Sequence, residues 1–169
     1  MENYTILEFD VSDFGFDWEE IARNPHAPIK PRKSVSAFKT YYNRIISSAK
    51  DSGVVPVLVS LPPVDADNYY DFITRSRNSE EKDNILQWLG GSPEFLAEWQ
   101  DLYNEAIFDL GAENGVPVVD VTAKFRQDHE LMGPDGMHPN ENGLKLIADT
   151  INAALGSLKP TAPLVLASA

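Results

Sequence analysis

Hydrophobic and polar positions recur along this chain with two different periods, and the points where the period changes mark its elements. Tyr4 to Phe9 (YTILEF) is a short, partly β-branched apolar run that stops at the polar stretch Asp10-Val11-Ser12-Asp13, the pattern of a strand entering a loop. Pro25, Pro28 and Pro31 interrupt the segment through Lys33, leaving room for only a turn or two of helix over Asp17 to Arg23. From Ser34, a good N-cap, residues Val35, Phe38, Tyr41, Tyr42, Ile45, Ile46 and Ala49 recur at three- and four-residue spacing up to Gly53. That spacing predicts an amphipathic helix. Val54 to Ser60 (VVPVLVS) is apolar without alternation, as in a parallel strand buried on both faces, with Pro56 at its entry and Leu61-Pro62-Pro63 ending it. Shorter helices are expected over Asp67 to Thr74 and Glu81 to Leu89. Ser92-Pro93-Glu94 starts the clearest helix, whose face carries Phe95, Leu96, Trp99, Leu102, Tyr103, Ala106, Ile107 and Leu110 before Gly115 closes it. Val116 to Val121 (VPVVDV) gives a third strand, and a last helix carries Leu144, Ile147, Ala148, Ile151 and Leu155 up to Gly156.

Strands separated by amphipathic helices imply parallel pairing with right-handed crossovers, hence a layered α/β domain whose helices cover the sheet. A length of 169 residues with 43% hydrophobic residues supports one core, so residues 1–158 are expected to form a single domain. The tail, 159–169, is expected to be disordered or, through Pro163-Leu164-Val165-Leu166-Ala167, to add an edge strand. A formal charge of -12 argues against nucleic acid or an anionic membrane as partner, and the short basic run Lys30, Arg32, Lys33 does not reverse it. With no cysteine there is no disulfide, thiolate ligand or thiol nucleophile. No apolar run approaches the roughly 20 residues of a membrane span, and Met1 to Asp10 lacks the makeup of a signal peptide, so the chain as written is expected in the cytoplasm.

Candidate chemistry concentrates between the third strand and the last helix, in Pro134-Asp135-Gly136-Met137-His138-Pro139-Asn140-Glu141-Asn142-Gly143. Pro139 biases His138 away from helical geometry and Asn140 can cap the helix that follows, which holds the histidine in a loop. Asp135, three residues earlier across Gly136, can fold back so that its carboxylate accepts the Nδ1 proton of His138 and leaves Nε2 free to take one. That is a general-base pair. Asp128 and His129, taken with Asp135 and His138, lack the close or helix-borne spacing of a ligand set, so neither a metal nor a cofactor is expected. Trp18, Trp88 and Trp99 and the pairs Tyr41-Tyr42 and Tyr69-Tyr70 read as packing residues. Ser34 and Ser92 have capping explanations, and Ser60 falls at a strand end.

The segment DGMHPNENGLKLIADTI resembles the last motif of the SGNH/GDSL hydrolases, in which D-x-x-H-P precedes the C-terminal helix. The likeness extends upstream. ILEFDVSDFGFDWEEIARNPHAPIKPRKS resembles the family's G-x-N-D region with a bulky insertion after it, and VLVSLPPVD its next strand and loop, so nearly the whole chain is covered. The resemblance implies a three-layer, flavodoxin-like parallel sheet, with ligands at the carboxyl ends of its strands. It also implies ester hydrolysis by a Ser-His-Asp mechanism, with Asp135 and His138 as the catalytic Asp and His and a small lipid, acyl or carbohydrate ester as substrate.

Two departures accompany the match. The family's G-D-S nucleophile block and first strands have no counterpart, since only Met1 to Phe9 precede the G-x-N-D-like segment. In that segment Asp10 stands at the glycine, Ser12 at the oxyanion-donating asparagine, and Asp13 alone is retained, so all three are expected to line the crevice. Alternatively, Ile6 to Ser12 reads as the strand-turn-serine of the nucleophile itself, which makes Ser12 the attacking group. The chain is therefore expected to be an impaired or incomplete esterase, or else a non-catalytic α/β scaffold, a binding protein or a fragment that needs a partner chain. In either case the Tyr4 to Phe9 strand would present an apolar sheet edge, to be covered by a second copy, a partner chain or the tail.

Overall fold

The computed structural model describes residues 3–8 and 15–158. The expectations for Asp10, Ser12, Asp13 and the 159–169 tail lie outside those residues, as does Phe9 at the end of the first strand. Three parallel strands, β1 (Tyr4–Leu7), β2 (Val55–Val59) and β3 (Val118–Val119), form a sheet in the order β1-β2-β3. Tyr4 pairs with Val55, Leu7 with Leu58, and Val59 with Val119. The helices are α1 (Trp18–Arg23), α2 (Val35–Asp51), α3 (Ala66–Thr74), α4 (Ser79–Trp88), α5 (Phe95–Asn114), α6 (Thr122–Phe125) and α7 (Glu141–Ser157).

Burial explains why β2 reads as unbroken apolar sequence. Leu58 packs on one side with Phe38, Tyr42 and Ile46 of α2 and Tyr103, Ile107 and Leu110 of α5. Val57 and Val59 pack on the other with Val119, Val121, Phe125 and Ile147 of α7. All three strand residues are 0% exposed, so neither face of β2 needs a polar residue. Pro56 is tolerated because the β3 ladder begins only at Leu58, whose N–H donates to Pro117 O at 2.9 Å. On α5, a Cβ at Gly111 would overlap the Val118 side chain, and the missing side chain lets the helix lie directly on β3. The aromatic residues pack as expected: Phe16 sits among Trp18, Trp88, Phe95 and Trp99 at ring-centroid distances of 5.6, 4.9, 6.4 and 5.3 Å. Tyr41 is the exception, 53% exposed on the outer face of α2.

Element limits differ from the sequence expectations for local reasons. The Asp65 side chain accepts from Asn68 N–H, starting α3 at Ala66. Asn78 and Glu81 form a reciprocal capping box, so α4 starts at Ser79. The second strand spans Val55–Val59 rather than 54 to 60. The third shrinks from six residues to Val118–Val119, because the chain turns into α6 directly after Val121. Neither α6 nor the 3-10 turn at His129–Leu131 has a periodic signature in four or three residues. No helix among the described residues is long and apolar enough to cross a membrane.

Candidate active site

The loop after β3 is folded by its own main chain. Gly133 N–H donates to His138 O at 2.7 Å and Gly136 N–H to Gly133 O at 3.0 Å, while Met132 and Pro139 form an isolated antiparallel bridge. Asn140 then fastens the loop to α7: its Oδ1 accepts from Gly143 N–H at 3.1 Å, and its Nδ2 donates to Glu130 O at 2.6 Å and Met132 O at 3.1 Å. The cap expected there is present. Asp128 caps the 3-10 turn through Glu130 N–H at 3.0 Å.

Within this loop the structure brings Asp135 and His138 together. Asp135 Oδ2 lies 2.7 Å from His138 Nδ1, and Asp135 Oδ1 accepts from Met137 N–H at 3.0 Å and His138 N–H at 2.9 Å. Partial burial works to raise the Asp135 carboxyl pKa, but the His138 amide, the His138 ring and the Met137 amide outweigh it and hold the pKa below the usual 3.8. An ionised carboxylate only accepts, so Nδ1 carries the shared proton, and Nε2 is the nitrogen left to act as a base. The His138 side chain is 67% exposed and that of Asp135 23%, which places the ring at the surface and its anchor beneath.

The loop is positioned by the carboxyl end of β2. Gly136, at φ 69°, touches the start of α3 so closely that a Cβ would overlap Asp65 O and Tyr69 N, and Asp65 N–H donates to Gly136 O at 2.8 Å. Tyr69 packs below, its hydroxyl accepting from Trp18 Nε1 at 3.2 Å. Burial raises the pKa of that hydroxyl and Asp135 adds to the rise, while the Trp18 bond and Arg32 oppose it. Arg32, of the short basic run, and Asp135 thus act on the Tyr69 hydroxyl in opposite senses.

The segment between β2 and α3 is held by residues that the sequence reading passed over. Two buried amides on α5 clamp it: Asn104 Oδ1 accepts from Leu61 N–H at 2.7 Å while its Nδ2 donates to Leu61 O at 3.2 Å, and Gln100 Oε1 accepts from Val64 N–H at 2.9 Å while its Nε2 donates to Pro62 O. Ser60 is 0% exposed. Its Oγ accepts from Val121 N–H at 2.9 Å and Thr122 N–H at 3.1 Å and donates to Asp120 Oδ1 at 3.2 Å, tying β2 to the segment after β3. Ser34 and Ser92 accept from Ala37 N–H and Glu94 N–H, each at 3.2 Å. Among the described residues no serine hydroxyl bonds His138, and no three metal-ligating side chains gather at one point.

A family model described as GDSL-like lipase/acylhydrolase matches residues 24–151, about three quarters of the chain, with Asp135 and His138 inside the match. Among solved structures, a lipase/acylhydrolase from Enterococcus faecalis superposes with a TM-score of 0.54 at 19% identity, over 77% of this chain and 56% of that one. A Slackia heliotrinireducens protein described as a "putative SGNH hydrolase" gives a TM-score of 0.51 at 25% identity, over 72% of this chain and 57% of that one. The chain thus spans just over half the length of these relatives. No curated protein sequence matches it.

Proposed function

The chain belongs to the GDSL-like lipase/acylhydrolase family, and from that premise we propose that it serves the hydrolysis of carboxylic esters, with His138 as general base and Asp135 as the group that orients it. One observation carries the reading: the 2.7 Å contact between Asp135 Oδ2 and His138 Nδ1, on an imidazole whose side chain is two thirds exposed. In the proposed reaction a serine Oγ–H gives its proton to His138 Nε2 as the oxygen attacks the ester carbonyl carbon. The imidazolium then protonates the departing alkoxide, and water repeats the sequence to release the acid. Ser12 is the candidate nucleophile within this chain; a serine supplied by a partner chain is the alternative source.

A second reading, a scaffold or binding protein that keeps the corner without turnover, is favoured by Asp10 and Ser12 standing where the resemblance sets a glycine and the oxyanion-donating asparagine. Hydrolysis of p-nitrophenyl acetate by the purified chain, its His138→Ala variant and its Ser12→Ala variant separates the two. The catalytic reading expects His138→Ala to lower turnover by about 10²–10⁴ and Ser12→Ala to abolish it if Ser12 is the nucleophile. Hydrolysis that is unmoved by both substitutions would sink the catalytic reading.

A further inference from the structure

The outer edge of β1 is open among the described residues, which supply β2 as its sole partner strand. Val55 N–H donates to Asn3 O at 2.9 Å, so by the alternation of a parallel ladder Thr5 faces β2 and the main chain of Ile6 faces outward. Beside this edge runs a groove of about 630 Å³, lined by Thr5 and Leu7 of the strand, Ile45, Ser48 and Ala49 of α2, and Val54. Ile45 in its lining is 45% exposed, and Ile6, on the other face of the strand, is 36% exposed. An open apolar edge of this kind invites another strand.

We infer that Pro163-Leu164-Val165-Leu166-Ala167 fills this groove as a fourth strand, parallel to β1 on its outer edge. The place where the described chain ends supports this occupant. Leu158, just past α7, packs against the same buried cluster of Val57, Val59, Val119 and Ile147 as Tyr4, the first residue of β1. The chain therefore leaves α7 on the face of the sheet that carries Tyr4, and a strand parallel to β1 would begin level with that residue. Eleven residues follow Leu158. Lys159 to Ala162 reach up to roughly 13 Å, against about 4.8 Å between adjacent strands, and the five residues Pro163 to Ala167 are enough to cover the four of β1.

Handedness agrees. The connections through α2 and α5 step from β1 to β3 with their helices on one face of the sheet. A return from β3 to the far side of β1 steps in the opposite direction with α7 on the opposite face, which is a crossover of the same hand. Composition agrees as well, because a strand in this position would meet Leu7, Ile45 and Ala49 on one face and Ile6 on the other. That environment suits a segment apolar at every position. Pro163 would stand at the first position of an edge strand, where its missing N–H costs no ladder bond.

The lack of cysteine makes a cross-linking scan clean. Ile6→Cys is combined in turn with Leu164→Cys, Val165→Cys, Leu166→Cys and Ala167→Cys in the full chain, and disulfide formation is followed under mild oxidant with the mass measured by light scattering. The expected result is a monomeric disulfide forming at least about tenfold faster at alternate tail positions than at those between, since side chains alternate across a strand. Equal rates at all four positions, or cross-links that form mainly between two chains, overturn the assignment, the second outcome giving the edge to another copy. In the unsubstituted chain, amide hydrogen exchange at Ile6 should be slower by at least about tenfold than in the Leu164→Asp/Leu166→Asp variant. Equal exchange in the two proteins also overturns it.

Discussion

Replacing Asp135 by asparagine isolates the orienting role of the carboxylate from its size. Three N–H groups converge on it, those of Met137, His138 and the His138 ring, at 3.0, 2.9 and 2.7 Å. In Asp135→Asn the amide oxygen retains the two main-chain bonds, weakened by loss of charge, and an NH₂ group faces Nδ1 where an acceptor stood. The ring must then turn away or move its proton to Nε2, the nitrogen that has to be bare to act as a base. Hydrogen bonds to charged groups are worth about 1.5–3 kcal/mol. One such bond is lost and two are weakened at a side chain 23% exposed, so an expected loss of stability of about 1–2 kcal/mol follows. The loss of hydrolysis should approach the roughly 10⁴-fold known for the equivalent exchange in a serine-protease triad. Nitrogen-15 NMR of the imidazole reads the tautomer directly: a proton on Nδ1 in the parent chain, moved or averaged in the variant. A parent chain with the proton on Nε2, or a variant whose His138 still holds it on Nδ1, would refute the reasoning whether or not any ester is cleaved.

The same variant has a signature in pH. The folded pKa of Asp135 is depressed, so its contribution to stability is fully present above the unfolded carboxyl value of about 3.9 and is lost as pH falls through the lower folded value. Between those values the unfolded state binds more protons, and stability rises with pH. Asp135→Asn should therefore flatten the acid limb of the stability curve, measured by urea midpoints from pH 2 to pH 6.

Three further outcomes follow from the same contacts. Gly136→Ala forces a Cβ into the first turn of α3 at φ 69°; the left-handed backbone alone costs about 1–2 kcal/mol, and the urea midpoint should show more than that because main-chain atoms of α3 must move. Asn104→Leu leaves Leu61 N–H without its buried acceptor and should cost about 1–3 kcal/mol by the same measurement, with His138 amide exchange quickened as the β2–α3 segment loosens. Asn140→Ala removes the α7 cap and two carbonyl contacts; a loss of about 1–2 kcal/mol in thermal or urea unfolding is expected, and an unchanged midpoint would refute the clamp.

What could be read from the sequence was what is local. The pairing of Asp135 with His138 spans three residues, and Gly136 and Pro139 advertise the turn that makes it. Periodicity found α2, α5 and α7 because their buried faces, such as Phe38, Tyr42 and Ile46, recur at helical spacing. Strand limits were not legible, since β3 is as long as its pairing with Leu58 and Val59 and no longer. The Ser60, Gln100 and Asn104 contacts were hidden for the same reason: their partners stand 18 to 62 residues away. One signal was available. Gln100 and Asn104 fall four residues apart on the face that carries Leu96, Tyr103 and Ile107, and a polar side chain on a core stripe must find a partner inside.

These long-range contacts also bear on what the catalytic corner depends on. Asp135 and His138 rest on α3 through Gly136, α3 follows the loop that Asn104 and Gln100 fasten to α5, and Ser60 joins β2 to the segment after β3. Among the described residues these hydrogen bonds do not run to β1. The described supports of the base thus run through α3, α5 and β2, and a poor esterase can still hold a well-made Asp-His pair. Low activity in the purified chain would for that reason say little about the corner, whereas the tautomer of His138 reports on it directly. If the ring carries its proton on Nδ1 while hydrolysis is absent, what is missing is the nucleophile or the oxyanion donors, and supplying a serine from another chain becomes the decisive experiment.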